Sequence, residues 1–274
     1  MEDLKKIALN IRKKIIKMIY KASSGHPGGA LSCTDILTAL YFGEMNIDVK
    51  NPDDPNRDRF VLSKGHASAA LYATLAEKGF FKEELLEGFR DINSNLQGHP
   101  DMNKVPGVDM STGSLGQGLS IANGMAIAGK LDDKKYRVFC LIGDGEIQEG
   151  QIWEAAMTAS HYKLDNLCAI VDYNGLQIDG KVTDVMNPTP IGEKFKSFGF
   201  NVININGNDI EEVIDAFDKA KNAKERPTVI IAKTVKGKGI SFMENQAGWH
   251  GKAPSKEEFE IAMNELENKG GKNV

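Results

Sequence analysis

The fold of this chain is decided by residues 138–174, which read VFCLIGDGEIQEGQIWEAAMTASHYKLDNLCAIVDYN. The apolar runs 138–142 and 167–171 are predicted β-strands, and the segment between them is predicted to be a helix. Parallel strands need a crossover of a dozen or more residues, and a whole βαβ unit takes about 30 residues. The spacing therefore predicts two adjacent parallel strands, with Asp144 and Asn174 side by side at their carboxyl ends.

This edge of the predicted sheet suits a magnesium ion and a diphosphate. Open α/β sheets bind ligands beyond the carboxyl ends of their strands. Mg²⁺ prefers oxygen ligands and takes few of them from the protein, so Asp144, Asn174 and one backbone carbonyl would suffice. Gly143 and Gly145 allow the backbone to approach a phosphate closely. A plain turn would explain Gly-Asp-Gly alone. It would not explain why Asn174 follows the second strand at the matching position.

The composition excludes several classes of protein. The chain has 274 residues, of which 41% are hydrophobic, and a formal net charge of −4. This balance argues against general nucleic-acid binding, and no run approaches the roughly 18 apolar residues of a membrane span. The N-terminus is unlike a signal peptide, and two of the three cysteines fall in predicted core strands. We therefore expect a cytoplasmic protein with reduced thiols.

The rest of the chain alternates between helical and strand patterns. Helices are predicted at 4–21, 32–42, 68–78, 83–89, 119–128, 210–223 and 255–266, strands at 60–62, 200–205 and 228–232, and a frayed end from 268. This order predicts an α/β fold whose mostly parallel sheet carries helices on both faces. We expect one domain over residues 1–274.

Four of the five histidines lie in loops that contain glycine, next to predicted ends of helices or strands. They are His26, His66, His99 and His250. A histidine in such a loop can donate to a phosphate or a hydroxyl, or act as acid or base near neutral pH. One loop histidine is usually a surface or capping residue, whereas four favour a functional site.

Other polar residues have more ordinary interpretations. Residues 113–118 form a glycine-rich turn before a helix, which alone is a weak indicator of phosphate or ring binding. Glu146 and Glu149 are explained by stabilisation of a helix N-terminus. Lys236 and Lys238 are predicted to belong to a solvated charge cluster. No Ser-His-Asp or Cys-His arrangement suggests that a side chain of the protein acts as a nucleophile. We therefore expect the chain to hold a reactive cofactor.

Taken together, these motifs resemble those of transketolases. Gly143-Asp144-Gly145 followed by Asn174 is similar to the thiamine-diphosphate fingerprint. Four further motifs precede it in the sequence and stand in the family's order, namely GHPGG at 25–29, SKGHA at 63–67, GHP at 98–100 and TGSLGQG at 112–118. The resemblance extends from the first helix to Gly251.

The resemblance implies two cofactors, thiamine diphosphate and Mg²⁺, and residues for each. Mg²⁺ would be bound by Asp144, by Asn174 and by the backbone carbonyl of Leu176. The remaining cofactor-binding residues would be His66, Gly113, Ser114, Leu115, Gly145, Asn174 and His250, of which Gly113 to Leu115 would face the cofactor rings.

The resemblance also implies residues for the chemistry. The sugar substrates would lie among histidines that bind hydroxyls and assist proton transfer, namely His26, His99 and His250, with His66 beside them. Glu149 would contact its counterpart across a dimer interface and is placed with the catalytic residues.

A partner chain is implied as well. Transketolases of this kind carry a pyrimidine-binding domain and a C-terminal domain, which we expect on a separate subunit. The glutamate that protonates the aminopyrimidine ring and the arginines that hold the sugar phosphate belong to those domains. The chain is therefore expected to be the N-terminal subunit of a split transketolase, in an α₂β₂ heterotetramer. It would transfer two-carbon ketol groups between sugar phosphates in the non-oxidative pentose phosphate pathway.

Three alternatives stay open. One is a transketolase specialised for an unusual sugar. Another is a different thiamine-diphosphate enzyme, either a 1-deoxyxylulose-5-phosphate synthase or the E1 α-subunit of a 2-oxo acid dehydrogenase, although these relatives do not carry both GHPGG and SKGHA. The third is a non-catalytic partner, against which the presence of Asp144, Asn174, His66 and His250 argues.

Overall fold

The structure is a computed structural model that describes the backbone of residues 1–271 and the side chains of residues 1–268. Its central feature is a five-stranded sheet in which every pairing is parallel, in the order β1-β2-β3-β7-β6. In chain order the strands are β1 (Arg59–Leu62), β2 (Val138–Gly143), β3 (Leu167–Tyr173), β4 (Leu176–Gln177), β5 (Gly180–Lys181), β6 (Asn201–Asn206) and β7 (Thr228–Lys233). Strands β4 and β5 form a separate antiparallel pair.

The helices were predicted with fair accuracy from the apolar spacing. They are α1 (Glu2–Ala22), α2 (Pro27–Ser32), α3 (Thr34–Ala39), α4 (Ser68–Lys78), α5 (Gln117–Leu131), α6 (Gly150–His161), α7 (Val182–Val185), α8 (Ile191–Ser197), α9 (Ile210–Lys221) and α10 (Lys256–Gly271). A π-helical turn covers Leu40–Glu44, and 3₁₀ turns cover Gly65–Ala67, Glu83–Gly88, Glu146–Gln148 and Ala247–Trp249. Helix α10 continues past the predicted frayed end at 268, and residues 272–274 lie outside the described part.

Helices cover both faces of the sheet, as the sequence predicted. Helices α1, α2, α3, α4, α9 and α10 share one apolar core with Phe139 and Leu141. Helices α5, α6 and α8 share the second core with Cys140 and Ile142 on the other face. Successive side chains of a strand point to opposite faces, so β2 contributes alternately to each core. Within the described residues, no helix combines the length and the apolar character that a membrane crossing requires.

The predicted helix over 32–42 is wrong in its start and its continuity. Helix α2 already begins at Pro27, and the helical conformation is interrupted at Cys33 before α3 begins. Proline suits the first turn of a helix because its missing N–H is not needed there. The hydroxyls of Ser32 and Thr34 donate to the carbonyls of Gly29 and Ala30. Such local bonds compete with regular helix hydrogen bonding.

Helix α5 begins against the loop after β1, and Gly118 permits the contact. A Cβ atom at Gly118 would lie 2.7 Å from the Cα of Ser63, whereas a Cβ at Gly124 of the same helix would meet nothing within 4 Å. We expect Gly118→Ala to lower the free energy of unfolding by about 1–3 kcal/mol through overpacking. Gly124→Ala should raise it by about 0.4–1 kcal/mol. Chemical denaturation measures both, and equal effects would contradict this packing.

Candidate cofactor site

The loops that follow β1, β2, β3 and β7 converge at the carboxyl edge of the sheet. Register pairs Gly143 with Asp172, so Asp144 and Asn174 follow the ends of adjacent strands as predicted. These loops enclose a cavity of about 240 Å³. The predicted site residues in its wall are His66, Leu115, Asp144, Gly145, Glu149, Asn174, Leu176 and His250.

Asp144 presents a buried carboxylate to this cavity. Its side chain accepts hydrogen bonds from the backbone N–H of Gly145 at 2.8 Å and of Gly175 at 2.6 Å. Burial, together with the negative charge of Asp172, raises the pKa of Asp144 to about 7. A cation in the cavity would favour the charged form, since opposite charge lowers a carboxyl pKa.

The other two predicted metal ligands follow β3, with Asn174 in the turn and Leu176 at the start of β4. The Asn174 side-chain oxygen accepts from the backbone N–H of Leu176 at 3.1 Å. Among the described residues, no three His, Cys, Asp or Glu side chains cluster to hold a metal. The site thus offers three protein ligands, one carboxylate, one amide oxygen and one backbone carbonyl, and each of them binds through oxygen. This donor set fits Mg²⁺, which completes its shell with phosphate and water.

Three of the predicted histidines form a cluster. The ring centroids of His26, His66 and His250 lie 5.2–5.5 Å from one another. Burial lowers the pKa of His26 and His250 to about 4 and that of His66 to about 2. All three imidazoles are therefore neutral at pH 7, when each offers one N–H donor and one acceptor nitrogen.

His99 lies at the edge of this cluster rather than in the cavity wall. A Cβ at Gly113 would lie 3.1 Å from the His99 ring. Burial and the charge of Arg90 lower the pKa of His99. The same guanidinium is 3.4 Å from Nδ1 of His26 and donates to the Ser24 hydroxyl at 3.0 Å. The charge of Arg90 thus acts on both His99 and His26, and the sequence prediction did not include Arg90.

The glycine-rich turn contributes to the cavity unevenly. Leu115 lines the cavity, whereas Gly113 and Ser114 do not. The turn is fixed by Gly116, whose φ is +85° and whose N–H donates to Glu146 at 3.0 Å. Since Leu115 is partly exposed, its side chain is available to a cofactor ring.

The predicted role of Glu146 as a helix-stabilising acid is wrong. Its buried carboxylate accepts from the Ser63 hydroxyl and from the backbone N–H of Gly116 and Gly143. It therefore holds together the loops after β1 and β2 and the glycine-rich turn. Glu149 is the N-cap residue of α6, yet its side chain makes no capping hydrogen bond and stays exposed at the cavity rim.

Lys236 is not a solvated residue, contrary to the prediction. It is 1% exposed, and burial together with the charge of Lys64 lowers its pKa to about 8. Its ammonium donates to the Leu176 carbonyl at 3.2 Å and contacts Nδ1 of His250 at 3.0 Å. Lys238 is half-buried and lies 3.5 Å from Glu244. Because this loop is rich in glycine and lysine, its sequence resembles a solvated loop, although it packs against the carboxyl edge of the sheet.

A second buried lysine, Lys64, joins the loops around the site through an ion pair and a hydrogen bond. Lys64 forms an ion pair with Asp172 and donates to the Gly29 carbonyl at 2.8 Å. Asp172 also accepts from the hydroxyls of Ser32, at 2.6 Å, and Thr234. Burial lowers the pKa of Lys64, but the negative charge of the Asp172 carboxylate raises it by more, so that the net effect is a raised pKa. The position of Lys64 directly after β1, inside SKGHA, was the available sequence signal.

Comparison with known proteins decides the family. The family described as "Transketolase, thiamine diphosphate binding domain" matches residues 4–270. The chain belongs to the transketolase family. This confirms the resemblance seen in the motifs, and it agrees with a parallel sheet that has a cavity at its carboxyl edge.

Relatives of this transketolase-family chain include single subunits of similar length. It is 46% identical to the 6-deoxy-6-sulfo-D-fructose transketolase subunit SqwG of Clostridium sp. (strain MSTE9), over 98% of both chains. It is 45% identical to one of the subunits of the apulose-4-phosphate transketolase of Phocaeicola vulgatus, over 93% of this chain and 90% of the relative.

Solved transketolases have the same fold. The crystal structure of transketolase from Campylobacter jejuni aligns with a TM-score of 0.91 and 36% identity, over 97% of this chain and 43% of that one. The chain therefore spans less than half of that transketolase. Human transketolase is 43% identical over 97% of this chain and 42% of its own length.

Proposed function

We propose that this chain is the N-terminal, thiamine-diphosphate-binding subunit of a two-chain transketolase. The observation that carries the proposal is the cavity at the ends of β2 and β3, which is lined by Asp144, Asn174 and neutral histidines. The reaction would be the reversible transfer of a two-carbon ketol group from a ketose phosphate to an aldose phosphate.

The chain's oxygen ligands would hold Mg²⁺, and its N–H donors would hold the cofactor diphosphate. Mg²⁺ would be bound by Asp144, Asn174 and the carbonyl of Leu176, whose chemistry fits it. The diphosphate would be held by His66, Gly145, Asn174 and His250, and the rings by Gly113, Ser114 and Leu115. When bound, thiamine diphosphate supplies the electron sink for the two-carbon fragment.

The histidines would orient the sugars and move protons. As neutral imidazoles, His26 and His250 can donate to one hydroxyl while accepting from another. A neutral histidine can also take up a proton, and the lowered pKa values make it release that proton readily. His66 is the most buried of the three and would act from deeper in the cavity. His99, beside Arg90, would bind a sugar hydroxyl at the outer edge.

The assembly we propose is a heterotetramer with a C-terminal transketolase subunit that carries the pyrimidine-binding domain. Relatives named as subunits that match over 90–98% of their length support a separate partner chain. The exposed Glu149 at the cavity rim is available to meet its counterpart across a dimer interface. We place the enzyme in the cytoplasm, where its buried free cysteines stay reduced.

The test is an assay of the reconstituted enzyme. The chain, its C-terminal partner, thiamine diphosphate and Mg²⁺ are incubated with xylulose 5-phosphate and ribose 5-phosphate. We expect sedoheptulose 7-phosphate to form with both chains present, and turnover to fall to background when either chain is omitted. Activity of the isolated chain would contradict the two-chain proposal, and no product from the complex would contradict a role in the pentose phosphate pathway.

A specialised sugar substrate is the second candidate. It is favoured by two relatives whose names specify 6-deoxy-6-sulfo-D-fructose and apulose 4-phosphate. The same reconstituted enzyme would then give a higher kcat/KM with one of these donors than with xylulose 5-phosphate. Because the residues that hold the sugar phosphate are expected on the partner, exchanging partner subunits should move the preference with the partner.

A further inference from the structure

The carboxylate of Glu146 is buried where three segments of the chain meet. It is 3% exposed. Its Oε1 accepts from the Ser63 hydroxyl and, at 3.0 Å, from the N–H of Gly116, while its Oε2 accepts from the N–H of Gly143 at 2.9 Å. Uncharged donors from three different segments therefore satisfy both of its oxygens.

Each of these three segments also carries a residue of the proposed cofactor site. Gly143 directly precedes Asp144, the charged metal ligand, and Gly116 directly follows Leu115, which lines the cavity. The loop after β1 contributes His66 to the same cavity. One carboxylate therefore sets the positions of the metal side, the ring side and the diphosphate side of the cavity relative to one another.

The metal side of the cavity has supports of its own, whereas the ring side depends more on Glu146. Asp144 accepts from the N–H of Gly145 and of Gly175, and the pairing of β2 with β3 fixes the residue before it. The glycine-rich turn donates to Glu146 through Gly116. Two other backbone hydrogen bonds of the turn run elsewhere, from Thr112 to Pro100 and from Gln117 to Ser114. Glu146 thus supplies a hydrogen-bonded connection between the turn and the end of β2.

We propose that Glu146 is a positioning residue that holds the glycine-rich turn at a fixed distance from the loop after β2, so that the rings and the diphosphate of one cofactor molecule bind together. Removing an outer residue that orients ligands typically costs about 10- to 100-fold in affinity or activity. Without Glu146 the diphosphate would still meet the metal side, but the rings would lose their contact with Leu115. This inference rests on the proposed function, which assigns the metal ligands and the ring contact.

The experiment compares two ligands of the reconstituted complex, thiamine diphosphate and inorganic pyrophosphate, each titrated calorimetrically in the presence of Mg²⁺. Pyrophosphate reports on the metal side alone, because it has no rings. We expect Glu146→Ala to weaken binding of thiamine diphosphate by about 10- to 100-fold and binding of pyrophosphate by no more than about threefold. Glu146→Gln should have a smaller effect, because its amide oxygen can still accept from Ser63 and Gly116. Glu257→Ala is the control, since Glu257 is exposed at the start of α10, and it should change neither affinity.

A double variant tests whether Glu146 acts through the ring contact. Leu115→Ala alone should weaken binding of thiamine diphosphate, but it should add little when Glu146→Ala is already present, because the effects of coupled residues are not additive. Equal losses for the two ligands, an unchanged affinity for thiamine diphosphate, or additive losses in the double variant would overturn the inference. Glu146→Gln gives the same comparisons if Glu146→Ala does not fold. If the unmodified complex binds neither ligand in the presence of Mg²⁺, the proposed function fails instead.

Discussion

Asp144→Ala is expected to weaken Mg²⁺-dependent binding of thiamine diphosphate by about 30- to 4,000-fold. The carboxylate is 2% exposed and is the one negatively charged member of the proposed ligand set. Truncating one member of a buried charged contact costs about 2–5 kcal/mol, and each 1.4 kcal/mol is tenfold in affinity. Calorimetric titration of the reconstituted complex with thiamine diphosphate, with and without Mg²⁺, measures the loss.

Two further variants make this result specific. Asp144→Asn keeps the size of the side chain and one oxygen, which can accept from either Gly145 or Gly175 but not from both, so it should preserve part of the turn while still weakening metal binding. Asp218→Ala removes an exposed carboxylate on α9, paired with Lys221, and should leave affinity unchanged. Cofactor affinity in Asp144→Ala equal to that in Asp218→Ala would exclude Asp144 from the metal site.

Lys64→Met is expected to lower the free energy of unfolding by about 3–5 kcal/mol. The Lys64 and Asp172 side chains are 2% and 0% exposed, and breaking a buried ion pair by removing one partner leaves the other charge uncompensated. The hydroxyls of Ser32 and Thr234 still donate to Asp172, but they do not neutralise it. Urea unfolding followed by circular dichroism gives the change.

The control for this variant is an exposed ion pair of the same types. Lys163 and Glu225 are 60% and 76% exposed, and such pairs contribute about 0–1 kcal/mol, so Lys163→Met should change stability little. The double variant Lys64→Met with Asp172→Leu should recover part of the loss, since an apolar pair avoids the unpaired charge. If Lys64→Met is no less stable than Lys163→Met, the buried pair does not support the site as described.

Most of the fold could be predicted because its apolar pattern is local. Strands β2 and β3 are continuous apolar runs, as expected of parallel strands buried on both faces. The short elements could not be predicted in this way. Helix α2 carries two glycines after Pro27, so it reads as a turn, and β4 and β5 have two residues each. Their position depends on tertiary contacts rather than on propensity.

The candidate site could be predicted in part, and the difference has a physical cause. Asp144, Asn174 and His66 closely follow strand ends, so topology alone brings them together. Lys236 and Glu146 were misjudged because charged residues are almost always exposed unless paired. Only the folded chain shows that Glu146 accepts from the N–H of Gly116 and that Lys236 donates to a carbonyl. Both contacts join segments distant in sequence, which no local pattern records.

The most direct test is a crystal structure of the chain with its C-terminal partner, thiamine diphosphate and Mg²⁺. The account predicts the diphosphate at the carboxyl ends of β2 and β3, with Mg²⁺ bound by the side chains of Asp144 and Asn174 and the carbonyl of Leu176. A cofactor whose diphosphate lies elsewhere, or a metal ion that contacts neither side chain, would contradict it.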